Sequence, residues 1–298
     1  MKKPVSFYSE GFKLLGDVYY PEDVKPDEKR SSIVLCHGYT GVKDLYLPDT
    51  ARVLNEAGYV VMTFDYKGWG DSEGSRSRLA PYSRVADVQA ALTFLATLPE
   101  VDPERLGIYG TSYGGATVVW VGAIDCRVRC VVSVVGIGNG VRWMRSVRRP
   151  DEWYDLLERA RRDRVKRALE GKSEFVNREE ILLPDRQSAE LAAVARRNNP
   201  AAVNTIPLEY VDDTLEFNPE WIVDKIAPRP VLFITTDNAR LVPPDESIQL
   251  YARAGEPKKL VVLKGYGHYE VYLQPAFREV AQATVAWFQQ YLPARKAL

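Results

Sequence analysis

A serine held between two glycines, in Gly110-Thr111-Ser112-Tyr113-Gly114, is the arrangement in this chain best suited to chemistry. The pattern is G-x-S-x-G. The apolar run Leu106 to Tyr109 precedes it and reads as a buried strand, and small and apolar residues follow as a helix. A serine at such a strand-to-helix turn takes a tight, strained backbone conformation that pushes its oxygen out above the sheet edge. The N–H of the next residue points into the same space. The flanking glycines matter because a side chain there would meet neighbouring backbone. This suits nucleophilic attack on a carbonyl. The serine then needs a base to take its proton, a group to orient the base, and donors for the oxyanion. The chain has only two histidines to offer as base, His37 and His268.

The elements that must position these groups follow from the apolar runs. Val5–Tyr8 and Leu14–Tyr20 read as two short strands that turn at Ser9-Glu10-Gly11. Ser32–Cys36, Tyr59–Phe64, Leu106–Tyr109, Cys130–Val135, Val231–Thr235 and Lys259–Leu263 read as strands buried on both faces. Helices are expected near Pro48–Ala57, Ser83–Leu98, Asp245–Ala254 and Phe277–Tyr291, with Asp245 as an N-cap. Strands that alternate with helices imply an α/β fold, a doubly wound and mostly parallel eight-stranded sheet covered on both faces. The texture changes from Arg142 to about Arg197, which is rich in arginine and acids. We therefore expect a core of residues 1–140 and 226–298 and an inserted helical cap over 141–225 that adds no strand to the sheet. His37 and His268 both follow strands, and in a doubly wound sheet such loops lie at the carboxyl ends where sites form.

Composition narrows the class. The 298 residues carry 40 basic and 40 acidic side chains, so nothing drives the chain towards nucleic acid or an anionic membrane. The start of the chain lacks an apolar signal segment, and no run approaches a membrane span. Three cysteines, Cys36, Cys126 and Cys130, fit reduced thiols and a cytoplasmic location. Two histidines and no C-x-x-C make a metal site improbable, and Gly136-Ile137-Gly138-Asn139-Gly140 falls short of a dinucleotide loop. No cofactor is expected. The expected partner is a small-molecule substrate, and the apolar surface of the C-terminal helix and cap permits a homodimer without requiring one.

Four pieces together resemble the α/β-hydrolase fold family: His37-Gly38, Gly110-Thr111-Ser112-Tyr113-Gly114, the loop Asp65–Ser72, and Gly267-His268. Their order covers nearly the whole chain outside the cap. The resemblance implies Ser112 as nucleophile, His268 as general base, and the N–H groups of Tyr39 and Tyr113 as the oxyanion hole. It makes His37 a loop-shaping residue. Gly68, Gly70 and Gly74 would form turns, and Asp65 and Asp71 would brace their loop. It also implies a carboxylate in a segment of the form Asp-Arg-Leu-Val-Pro after the strand at 231–235. This chain reads Ala239-Arg240-Leu241-Val242-Pro243 there. A methyl group cannot accept a hydrogen bond from His268. Either Ala239 stands in place of an engineered-out aspartate, the reading that the neighbouring residues favour, or Asp237 serves instead, or activity has been lost.

The function this implies is cleavage of a small carboxylic ester through an acyl-serine, with amides and lactones close behind, in a branch that resembles cinnamoyl-esterase and dipeptidyl-peptidase-like enzymes. The alternatives are a C–C bond hydrolase of diketones and a non-catalytic ligand-binding protein. The cap would set substrate choice. Trp143, Trp153, Tyr154 and Trp221 could wall an apolar pocket or fill the cap's own core. Arg142, Arg145, Arg148 and Arg149 share a helix face that could receive an anion, but the nearby acids favour a solvated face.

Overall fold

Alternate residues of a strand point to opposite faces, so a strand that is apolar throughout has to be covered on both. The structure, a computed structural model, describes residues 1–25, 28–76, 78–199 and 201–295. Its first two strands, β1 (Lys2–Ser9) and β2 (Phe12–Tyr19), pair antiparallel. Their turn is made by Glu10 at φ 46° and Gly11 at φ 83°, the left-handed pair that a tight two-residue hairpin requires. The strands β3 (Arg30–Cys36), β4 (Val60–Phe64), β5 (Val101–Thr111) and β6 (Val128–Val134) follow, separated by α1 (Leu47–Glu56), α2 (Pro81–Ala96) and α3 (Tyr113–Ile124).

After β6 the chain leaves the sheet. It runs through α4 (Gly140–Ser146), α5 (Pro150–Glu170), a strand β7 (Phe175–Asn177), α6 (Arg178–Ile181), α7 (Arg186–Arg197), a strand β8 (Thr205–Pro207) and α8 (Tyr210–Leu215). It re-enters at β9 (Val231–Thr236) and ends with α9 (Asp245–Arg253), β10 (Lys258–Leu263) and α10 (Ala276–Tyr291). The sheet has eight strands in the order β1-β2-β4-β3-β5-β6-β9-β10. From β4 to β10 every neighbouring pair is parallel. This is the α/β fold expected from the sequence.

Burial divides along the strands as the pleat dictates. In β3, Ile33 and Leu35 join Leu47, Leu54 and Phe288 under α1 and α10, whereas Val34 and Cys36 join Val88, Leu92 and Ala116 under α2 and α3. Each such aliphatic side chain contributes about 1.5–3 kcal/mol relative to exposure. The core therefore fixes the height at which β3, β5 and β6 end, and hence the height of the loops above them.

Two expectations are amended. The segment 141–225 adds no strand to the main sheet, but it is not purely helical, because β7 and β8 form a separate two-stranded antiparallel ribbon. Strands of three residues are too short to show a period of two. Asp245 does not cap its helix. It is the first residue of α9, after Pro244, and no side-chain cap bond is made there.

Candidate active site

The end of β5 presents Ser112 at φ 55° and ψ −121°, a strained conformation for a residue with a side chain. The surroundings explain how the strain is held. The Ser112 N–H donates to the Val134 carbonyl at 2.9 Å. A Cβ on Gly110 would lie 2.2 Å from the Gly114 carbonyl oxygen, and one on Gly114 would lie 2.1 Å from that of Cys36. Strand end, serine and helix start are packed backbone to backbone. The loop after β3 closes on the same point, since a Cβ on Gly38 would sit 3.1 Å from the Ser112 Cβ.

Two N–H groups beside this point, those of Tyr39 and Tyr113, lack an acceptor in the loop or preceding turn. Tyr113 opens α3, so its N–H has no acceptor in the preceding turn. Among the described residues the Tyr39 N–H has no acceptor either. Ser112 and His268 line one small cavity of about 30 Å³, with Gly38, Tyr39 and Leu241 from the core. Leu182, Ala192 and Arg196, from the segment between β6 and β9, close it. The structure thus brings Ser112, His268 and Tyr39 to one cavity, with Tyr113 next to Ser112 in the chain.

His268 is 2% exposed, and burial holds its imidazole down at about 4, opposed only by the charge of Asp185. Its Nδ1 is buried and has no partner among the described residues. Asp237 does not supply one. Its Oδ1 accepts from the Gly265 N–H at 2.7 Å and its Oδ2 lies 3.6 Å from the Lys264 ammonium, so the carboxylate braces the turn after β10. Ala239 is buried and offers only its methyl.

His37 is also buried, and burial together with the Arg84 charge holds its imidazole well below the usual range. Its Nδ1 sits 3.1 Å from Arg84 Nη2 and 3.1 Å from the Gly38 carbonyl oxygen, which places it in the loop's own bonding. The sequence reading missed Arg84. This residue is 2% exposed, lies 3.8 Å over the Tyr66 ring, and donates to the carbonyls of His37 and Gly38 at 3.0 and 3.1 Å. The signal was its phase. It falls on the buried stripe of α2 with Val88, Ala91 and Leu95.

Asp65 accepts from the Lys43 and Asp71 N–H groups at 2.7 and 3.4 Å, and Gly68, Gly70 and Gly74 all have positive φ, as expected, whereas the Asp71 side chain is exposed and accepts from no described residue, so it does not brace the loop. Burial pushes the Asp65 carboxyl up to about 6.

The aromatic side chains proposed for a pocket lie elsewhere. Trp143 is buried, donates from Nε1 to the Leu241 carbonyl at 2.8 Å, and meets the Tyr39 ring edge-on at 5.8 Å. It braces the two loops from behind the cavity. Trp153 is buried with Leu156 and Ala160 of its own helix, while Tyr154 and Trp221 are 68% and 64% exposed. None of the four lines the cavity. Of the four arginines proposed as an anion-binding face, Arg145 is exposed and the other three are engaged. Arg142 is bound to Glu220 at 2.7 Å and Glu246 at 2.8 Å, Arg148 donates to the Met144 carbonyl at 2.9 Å, and Arg149 pairs with Asp151 and Glu152. Among the described residues no three His, Cys, Asp or Glu side chains converge as metal ligands. Among the described residues no helix is long and apolar enough to cross a membrane.

Known proteins share this fold. The chain is 31% identical over 265 residues to an uncharacterized 31.7 kDa protein of the traX-finO intergenic region of Escherichia coli, covering 89% of this chain and 92% of that one. It is 25% identical over 307 residues to the thiohydrolase aneE of Aspergillus aculeatus, covering 97% and 93%. The crystal structure of the alpha/beta hydrolase GrgF from Penicillium sp. sh18 superposes with a TM-score of 0.82 at 21% identity, covering 98% and 99%. Residues 27–271 match the model of the Hydrolase_4 family, serine aminopeptidase S33, and this chain therefore belongs to that family of α/β hydrolases.

Proposed function

We propose that this hydrolase cleaves a small carboxylic ester or thioester, with amides and lactones as chemically related substrates, through an acyl-Ser112 intermediate. The observation that carries the reading is the strained Ser112 sharing one cavity with His268 and Tyr39, beside the free N–H groups of Tyr39 and Tyr113. As Ser112 Oγ attacks the carbonyl, the imidazole of His268 takes its proton. The oxyanion accepts from the two N–H groups. Collapse of the adduct expels the alcohol or thiol, which leaves with the proton from His268. Water then repeats the sequence on the acyl-serine. The thiol leaving group is suggested by the thiohydrolase among the relatives.

The buried, unpartnered Nδ1 of His268 favours a second reading of the same site. With Ala239 in the acid position no carboxylate accepts from His268 Nδ1 to stabilise the imidazolium, so this chain binds substrate and turns it over slowly. Labelling with a fluorophosphonate and release of p-nitrophenol from a p-nitrophenyl ester test both readings. The hydrolase reading requires labelling that vanishes in Ser112→Ala and strengthens in Ala239→Asp. An Ala239→Asp protein that neither labels nor turns over would leave only a binding protein.

A further inference from the structure

A surface helix normally turns its apolar residues towards the core and mixed charges towards water. α5 obeys the first half of that rule, since Trp153, Leu156 and Ala160 are buried. Its outer side departs from the second. Tyr154, Val165 and Leu169 are 68%, 50% and 81% exposed. Residues three and four apart share a helix face, so these three stand in one strip with Asp155, Glu158 and Arg162. Positions 151, 155, 158, 162, 165 and 169 advance by four and three in turn, the spacing by which one helix packs along another.

The strip is also polarised. The first nine residues of α5 carry four acids and no base, and the last twelve carry six bases and two acids. The helix dipole accounts for such a bias only in the first and last turns. Asp155, Glu158, Arg161 and Arg162 lie in the middle turns. Glu158 pairs with Arg161 at 2.8 Å and Arg162 at 3.1 Å, so one carboxylate is shared by two guanidinium groups. Exposed pairs of this kind are weak and exchange partners at little cost.

We propose that α5 is a self-complementary docking strip whose occupant is α5 of a second copy of this chain, antiparallel about a twofold axis at the level of Ala160. That register lays the acidic half of each helix on the basic half of the other. It sets Glu158 against Arg162 of the second copy, Asp155 against its Lys166 and Tyr154 against its Val165, and each opposition occurs twice. A parallel pairing would oppose like charges instead. An anionic lipid surface or a nucleic acid would attract the basic half and repel the acidic one. The contact runs about 31 Å, the length of 21 helical residues. A single helix pair of that length lies at the small end of specific interfaces, so the dimer is weak and reversible, with a Kd in the micromolar range. This contact is independent of the reaction at Ser112.

Sedimentation velocity of the native chain, from about 1 to about 200 µM, tests it. Self-association is expected in about 50 mM salt and is expected to weaken about tenfold or more in about 0.5 M salt. The Glu158 and Arg162 side chains are 43% and 69% exposed, so reversing either leaves the core untouched. Glu158→Arg and Arg162→Glu are each expected to sediment as monomers, because each sets like charges across the axis. Mixed in equal amounts, the two variants are expected to form a heterodimer, because the charges at 158 and 162 are then opposite at both contacts. A native chain that stays monomeric throughout the range overturns the proposal, and the strip then belongs to an unlike partner. A dimer that survives both reversals, or variants that do not pair when mixed, overturns the α5 contact and moves the interface to another face.

Discussion

Arg84 donates from Nη2 to the main-chain carbonyl of His37 at 3.0 Å, although the two residues are 47 positions apart. The guanidinium lies over Tyr66 and also holds the Gly38 carbonyl, so a cation buried in the core fixes the loop whose next N–H belongs to Tyr39.

Replacing Arg84 by Met keeps the volume and removes both bonds. The expected result is a fall in kcat of about 10- to 100-fold with a smaller change in KM, because the oxyanion donor is misplaced mainly in the transition state. Stability should drop by about 1–3 kcal/mol, since two buried carbonyls lose their donor. Steady-state kinetics and urea denaturation check both. A rise in KM alone would show that the loop serves binding.

Restoring a carboxylate at position 239 should complete the relay. Loss of the acid from comparable triads costs about 10⁴ in kcat, so Ala239→Asp should gain on that order against an aryl ester. No gain would show that the buried His268 Nδ1 has another partner in turnover.

The acid limb of activity should move with the same substitution. Burial holds His268 at about 4 here, so the neutral base persists in mildly acidic solution. A carboxylate against Nδ1 favours the imidazolium and raises that value, so the limb of kcat/KM in Ala239→Asp should lie at higher pH than in the native chain. Coincident limbs in pH–rate profiles would dismiss the carboxylate–imidazole contact.

The same histidines couple stability to pH. Both have folded values depressed below 6.5, so the unfolded chain binds more protons as the pH falls past that point. Their contribution is fully present above about 6.5 and is lost as the pH falls towards 4. Urea midpoints measured between these limits should fall more steeply for the native chain than for His268→Asn. Parallel slopes would contradict the burial of a neutral imidazole.

Ser112 should be costly to the fold. At φ 55° a glycine is relaxed where serine is not, so Ser112→Gly should stabilise the protein by about 1 kcal/mol while abolishing fluorophosphonate labelling. Thermal and urea unfolding give the sign. A destabilised variant would mean that the serine side chain contributes more in contacts than its backbone loses in strain.

The sheet was legible because β3, β4, β6 and β9 each carry an unbroken apolar run, Ile33–Cys36, Val60–Met62, Cys130–Val132 and Val231–Ile234, a pattern that two-sided burial explains. Ser112 and His268 were legible for a different reason, since glycine spacing and a choice between two histidines leave little freedom. Arg84, Arg178 and Arg196 were not. An arginine in a helix or loop reads as a solvated cation, and its burial depends on residues far along the chain. The fate of Asp237 was hidden too, because proximity in sequence does not say which way a carboxylate turns. The β7–β8 ribbon exists only through pairing of residues 28 or more positions apart.

The cavity around Ser112 measures about 30 Å³, enough for about two to three waters and too little for an acyl group with its leaving group. Admission of substrate is therefore a mechanical step in its own right. Leu182, Ala192 and Arg196 line that space, so entry of a larger substrate is expected to displace them together with the Arg196–Thr40 contact. Solvent friction then enters the rate law, and a viscous medium should slow entry even where it leaves the chemistry untouched.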